Sequence, residues 1–450
     1  MKPFPVLMDV TLEKFRRHPI TIIWCLRPFF WLLVLIFFVI IYGCAGRPVA
    51  PGASRSIDSI TSGQVPLIRI GLYVSQTSVK LSGTERLKLV DKSSGEVIGI
   101  SAPGKDWNLL PIGGWINILT SDGLAQGLYL GPIEVIPVEK EGRVKILKKE
   151  YRGKIEVISS DKGTLTVVNI LDLENYIRGV VPVEIGRLQE SQIEALKAQA
   201  IAARTYALVN MRRHQKLGFD LYSTVFDQVY QGYSVEWKVA DKAIKATRGM
   251  IAIYDGRPID AFYSSTCGGE TESIEEAWAV KPLPYLRSIK DRRGRNSGFC
   301  RESPVYRWQV EWEWKSLEDI LSLSLKNSKK NKSGEFSLVG MEVVKRSSSG
   351  RVKELEIRSN FGKVILRGDE IRSVLRRPVP GNPPLRSTLF KLKIKQGPSR
   401  KQDIIIATGA GYGHGIGLCQ MGAIGMSTKG YQYDKILKHY YRDIDIYRAY

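Results

Sequence analysis

Hydrophobic and polar positions change period several times along the chain. Residues 28–42 form one apolar run from Pro28 to Tyr42, and no charge stands between Arg27 and Arg47. The run is short for a comfortable transmembrane helix and about right for the apolar part of a signal sequence. A stretch rich in Gly, Pro, Ser and Ala follows over residues 45–64 and reads as a tether. From Val65 to about Arg152 short β-like runs are broken by Gly, such as Leu67–Val74 and Leu87–Asp91. Lys154–Val157 and Thr164–Ile170 continue the β pattern. The period then switches. Ser191-Gln192-Ile193-Glu194 has the capping-box form, and the Ala-rich run Ala195–Val209 behind it predicts a buried central helix. Residues 303–400 mix strand and helix, with a hairpin over Arg351–Ile357 and Lys363–Leu366 and a basic surface loop over Lys326–Ser333. A glycine-rich stretch, Gly409–Ala423, precedes a last amphipathic helix at Lys435–Tyr441.

These patterns predict an α+β chain in four parts. Residues 1–44 are a leader or anchor and 45–64 the tether. Residues 65–150 are a β-rich accessory domain, and 151–450 a mixed α+β domain around the Ala-rich helix.

Composition narrows the partners. The 450 residues are 43% hydrophobic and 25% charged, which is globular rather than disordered. The formal net charge of +22 favours an anionic partner: nucleic acid, an acidic membrane face or an acidic polymer. Two basic stretches, 281–301 and 386–401, read as solvated loops or edge strands. Lys2, Lys14, Arg16, Arg17 and Arg27 precede the apolar run and hold the amino end in the cytoplasm. The run ends at Ile41-Tyr42-Gly43-Cys44-Ala45-Gly46, which resembles a bacterial lipobox with Cys44 as the lipidated residue. Tyr42 departs from the small residue usual there. A lipoprotein is preferred to an uncleaved anchor, and both put the rest of the chain outside the cytoplasm. Nucleic acid is then excluded as a partner, leaving wall polymer or membrane surface.

Candidate chemistry gathers in three places. Glu184 stands in Tyr176–Gly186, a run otherwise apolar for several residues on either side. Desolvation there would raise its pKa and suit a general acid at neutral pH, although acids ahead of a helix are common. Lys197 and Arg204 share one face of the central helix, either reaching solvent along their stems or holding a carboxylate. Asp227, Gln228 and Tyr230 lie in a polar and aromatic cluster suited to sugars. Ser265, Thr266, Gly268 and Gly269 form a turn that a ligand can approach closely. In the late glycine stretch, which is neither a phosphate loop nor a dinucleotide fingerprint, His414 and Gln420 are the side chains of interest.

Four segments together resemble the SpoIID/LytB family of stage II sporulation protein D and amidase-enhancer proteins. They are Val180–Gly186, Glu194–Ala207, Phe262–Glu272 and Gly411–Gly422 with the later Tyr433–Tyr441, in the family's order across roughly residues 150–445. Residues 65–150 carry no comparable signature. The resemblance implies cleavage of peptidoglycan glycan strands, with Glu184 at the position of the catalytic glutamate. It implies a lytic transglycosylase acting on glycan stripped of its stem peptides and leaving 1,6-anhydromuramic ends. Lys197 and Arg204 would orient Glu184 or bind a muramic carboxylate. The alternative is a non-catalytic enhancer of a cell-wall amidase, as LytB-type members are regarded. No cofactor is implied for the reaction.

Of five cysteines, Cys25 lies in the leader and Cys44 at the lipobox. For Cys267, Cys300 and Cys419 three arrangements are open. A Cys267–Cys300 disulfide with Cys419 left over ranks first, free thiols second and a zinc site with His414 third. Some family members resemble zinc proteins, but their ligands do not map onto these positions.

Overall fold

A computed structural model describes residues 63–292, 298–325 and 335–450. The leader with Cys25 and Cys44, nearly all of the tether, and the Lys326–Ser333 loop lie outside the described residues.

The β pattern of the first half folds into two sheets. Seven strands lie in the order Leu221–Tyr222, Leu67–Gln76 (β1), Leu165–Asp172 (β2), Lys154–Ser159, Ile133–Pro137, Leu87–Asp91 and Val97–Ser101. β1 runs antiparallel to β2 from Leu67 opposite Asp172 to Gln76 opposite Leu165. The sheet is therefore continuous across residue 150. Alternation sets its inner face: Ile68, Ile70 and Leu72 from β1, and Leu165 and Val167 from β2, enter one core with Ile155 and Val157. A second sheet of six strands, from Val79–Gly83 to Lys149–Tyr151, packs its buried positions into the same core.

β2 runs directly into a helix, Leu173–Glu184 (α1), that the unbroken apolar run did not reveal. Asp172 caps it, accepting the Asn175 N–H at 2.9 Å. Pro182 stands in its last turn and Gly186, at φ +95°, ends it. The predicted central helix is present as Ile193–Asn210 (α2), but Ser191 does not cap it: a short 3-10 turn, Glu190–Gln192, precedes it. Glu194 instead accepts the backbone N–H of Tyr433 at 3.0 Å and pairs with Lys197. Along α2 the alanines at 195, 198, 200, 202, 203 and 207 are all fully buried. Their small size lets Lys238–Ala246 (α3), Gln420–Thr428 (α4), Tyr433–Tyr440 (α5) and the strand Met250–Tyr254 pack around it.

Residues 308–407 build a second core of their own, which includes Trp308, Trp312, Trp314, Leu355 and Phe390. The chain enters it on the strand Trp308–Glu313 and leaves on Ile404–Gly409, and these two are antiparallel neighbours, with Trp308 opposite Gly409. The expected hairpin is there, Val352–Ser359 against Gly362–Arg367. The second basic stretch includes Phe390–Lys395, an edge strand on which Lys391, Lys393 and Lys395 are exposed. The mixed segment is thus an insertion whose two ends stand side by side. Because of that, Tyr263–Ser264 (β3) and Leu418–Cys419 (β4), far apart in sequence, meet as a parallel pair.

Candidate functional site

Glu184 is the last residue of α1, and its half-buried carboxyl is surrounded by donors. The Val229 N–H reaches Oε1 at 2.8 Å. The Tyr263 hydroxyl from β3 and the Gln420 amide at the start of α4 also bond the carboxylate. A relay stands behind Tyr263: Tyr176 donates to Gln228 Oε1 at 3.2 Å, and Gln228 Nε2 donates to the Tyr263 hydroxyl at 2.9 Å. That leaves the Tyr263 proton to point at Glu184. Burial pushes the Glu184 carboxyl up to about 7, although the bonds from Val229, Gln420 and Tyr263 pull the other way. The group is therefore poised between acid and base near neutrality.

Glu184 lines a small pocket of about 10 Å³ together with Tyr206, Val225, Asp227, Phe262, Tyr263 and His414. Asp227 is a second carboxyl in this pocket, but its lone pairs are committed. Oδ1 faces Arg213 at 3.0 Å and the Tyr206 hydroxyl at 3.3 Å; Oδ2 faces His214 at 3.0 Å and the Tyr222 N–H at 2.8 Å. His414 has no free nitrogen either. The Ile416 N–H donates to Nδ1 at 2.9 Å, so Nε2 carries the proton and gives it to the Tyr263 carbonyl at 3.0 Å. Burial lowers its pKa to about 4. It is a neutral bracket that fixes β3, not a hydrogen-bonding group left over for a sugar.

The structure thus gathers Glu184, Asp227, Gln228, His414 and Gln420 from the residues expected in the sequence. It does not gather the two cations. Arg204 is fully buried and grips Glu174 through two bonds, at 2.8 and 2.9 Å, with a third to the Met250 carbonyl at 2.9 Å. Lys197 bonds Glu194 at 2.6 Å. Neither is bonded to Glu184: Arg204 ties α2 to α1, and Lys197 pairs with Glu194 within α2. Tyr230 is also internal, donating to Asn169 at 2.8 Å and lying where a Cβ on Gly179 would stand. Thr266 bonds Ser303 at 2.8 Å, and the Ser265 carbonyl accepts the Met421 N–H. Gly268 and Gly269 line a separate basin with Glu270, Lys290, Arg292, Tyr306 and Arg307. Tyr263 and Tyr176 went unnoticed in the sequence because nothing local distinguishes a tyrosine in a relay from one in a core.

The expected Cys267–Cys300 disulfide is not formed. The two sulfurs stand 3.6 Å apart, unbonded, and the supposed leftover Cys419 is buried with them.

Fold and site together define a mixed α+β protein with a desolvated carboxyl at its candidate site and a segment inserted into its second half. Residues 161–254 match the family model described as stage II sporulation protein, and residues 294–417 match a domain of unknown function. The chain is 32% identical over 297 residues to stage II sporulation protein D of Bacillus amyloliquefaciens, covering 63% of this chain and 76% of that one. It is 31% identical over 374 residues to an uncharacterized protein of Brachyspira hyodysenteriae, covering 80% and 92%. It is 30% identical over 293 residues to the amidase enhancer of Bacillus subtilis, covering 59% and 39%. The chain belongs to the SpoIID/LytB family.

Proposed function

We propose that this protein cleaves peptidoglycan glycan strands by lytic transglycosylation, with Glu184 as its one acid and base. The observation that carries the reading is a carboxyl held near pH 7 by burial, at the wall of a small pocket, with Tyr263 and Gln420 donating to it. In the first half of the reaction the Glu184 proton passes to the glycosidic oxygen as the bond from C1 to that oxygen breaks. In the second half the resulting carboxylate takes the proton of the muramic C6 hydroxyl as O6 bonds to C1. The product is a 1,6-anhydro end, and Glu184 is protonated again. No water is consumed, so no second free carboxylate is needed. The saturation of Asp227 by four donors agrees with that economy.

The reading includes the compartment. Residues 1–44 would export the chain and Cys44 would tether it by lipid, with residues 65–150 as an accessory support. Among the described residues no helix is long and apolar enough to cross a membrane. Palmitate labelling that disappears in Cys44→Ala tests the anchor; a full-length, unprocessed protein would defeat it.

Similarity to an amidase enhancer favours a second reading, in which the chain binds glycan and stimulates an amidase without cutting. One assay separates the two. Wild type and Glu184→Ala are incubated with peptidoglycan and with amidase-denuded glycan, and the products are read by mass spectrometry. Anhydromuramic ends from wild type alone are expected, mainly on denuded glycan. No such ends from wild type on either substrate would leave the enhancer.

A further inference from the structure

Behind β3 and β4, in the main core, four acidic or sulfur-bearing side chains converge. One ligand atom from each of Cys267, Asp291, Cys300 and Cys419 lies within 4.8 Å of the others, and all four residues are buried. We propose that these four side chains are the complete tetrahedral ligand set of a structural zinc ion, which pins β3 to β4 and so fixes the donors around Glu184.

Geometry is the first argument. Zinc–thiolate bonds of about 2.3 Å in a tetrahedron separate two sulfurs by about 3.8 Å. The Cys267–Cys300 distance is 3.6 Å. A disulfide would need about 2.05 Å. Three sulfurs and a carboxylate form a closed four-ligand set of the kind that leaves no position for a reacting water.

The surroundings are the second argument. Sulfur in these positions is offered backbone donors, as metal thiolates are. The Cys267 N–H and the Gly422 N–H point at Cys419 Sγ at 3.2 and 3.3 Å, and the Gly268 N–H at the Cys300 sulfur. Cys419 is also the N-cap of the nine-residue α4. Asp291 is oriented in turn: the Tyr440 hydroxyl donates to Oδ1 at 2.6 Å and the Cys300 N–H to Oδ2 at 3.1 Å. His439 stands behind it, with Nε2 4.0 Å from Oδ1. Gly422 is required here, because a Cβ would lie 1.9 Å from the Tyr440 hydroxyl and 2.8 Å from Asp291 Oδ1. His414, the fourth ligand considered from the sequence, is excluded by its two backbone bonds.

The third argument is where the ligands sit. Cys267 follows β3, which carries Tyr263; Cys419 ends β4 and precedes Gln420. Cys300 and Asp291 come from the connection that leads into the insertion. One ion would tie together the three stretches that position Tyr263 and Gln420 on Glu184.

The test uses the full chain purified without chelator under reducing conditions, with metal measured by plasma mass spectrometry. The expected content is about one zinc per chain, falling to about a tenth in Cys300→Ser and Cys419→Ser. Asp291→Asn, a milder change, should still fold and bind zinc at least tenfold more weakly by competition with a chromogenic chelator. Cobalt in place of zinc should give the near-ultraviolet thiolate charge-transfer band and intense visible bands of a tetrahedral site. Chelation should lower the melting temperature, and added zinc should restore it. A folded wild type that takes up no zinc or cobalt overturns the proposal, as does a native peptide map with Cys267 joined to Cys300. These readouts do not depend on glycan cleavage, so a zinc-loaded but inactive protein would count against the proposed reaction and not against the site.

Discussion

At the scale of single residues, Glu184 is governed by a contest between burial and three hydrogen bonds, which burial wins. Raised from an ordinary 4.5 to about 7, this carboxyl binds its proton more tightly in the folded chain than in the unfolded one. Its contribution to stability is complete below about pH 4.5 and is lost as pH rises through 7. On the alkaline side the cost is on the order of 3 kcal/mol. Glu184→Gln should therefore gain stability over wild type in urea melts at pH 8, by up to about that amount, and gain little at pH 4.5. Cleavage should fall above pH 7, where the acid is ionised. Tyr263→Phe removes a donor that favours the ionised form, so the alkaline limb of kcat/KM should move up by roughly half a pH unit to one unit. An unmoved limb would mean that Tyr263 does not bear on Glu184. The glutamate itself was legible in the sequence as an acid among apolar neighbours. Its partners were not, because they arrive from Val229, Tyr263 and Gln420, each set by tertiary pairing.

At the scale of elements, α2 was legible because alanine repeated over five turns has few alternatives to a buried helix. The roles of its cations were not legible, since spacing says which face a side chain occupies but not what waits there. Arg204 meets Glu174, which also accepts the Tyr450 hydroxyl at 2.7 Å and the Gly249 N–H at 3.2 Å. Burial alone would raise the Glu174 pKa, but Arg204 and these donors hold it below the usual range. Its stabilising contribution is present above about pH 4.5 and is lost as pH falls below that. Arg204→Ala should cost roughly 3–5 kcal/mol, read as a drop in the urea midpoint, because it strands a buried carboxylate. A cost under 1 kcal/mol would show that the pair is dispensable. α1 escaped sequence reading for a different reason: an apolar run that ends in proline and glycine carries no period to distinguish helix from strand.

At the scale of the whole molecule, the unforeseen feature is a second core built by a segment inserted in sequence into the first. Sequence showed mixed strand and helix over residues 303–400 but not that its ends pair, because strand pairing at such separation leaves no local trace. The insertion is also knitted to its host. Arg351, buried, donates to the carbonyls of Cys267 at 2.7 Å and Glu270 at 3.0 Å, and fills the space where Gly415 lacks a Cβ. Ser347 and Ser349 bond the buried Glu272. Arg351→Ala should therefore cost about 3 kcal/mol by stranding two buried carbonyls, and should loosen hydrogen exchange at Cys267–Glu272 as well as within the insertion. Protection lost in the insertion alone would mean that the two cores unfold independently.

The doorway between Trp308 and Gly409 has a further use. Opposed residues in an antiparallel pair stand about 5 Å apart, so the host presents two chain ends at a spacing that many foreign modules can bridge. An engineer could exchange the guest for a ligand-responsive module with closely spaced termini, provided that it returned a guanidinium to the place of Arg351. Such a chimera would couple an outside signal to the glycine loop and, through it, to the carboxyl of Glu184.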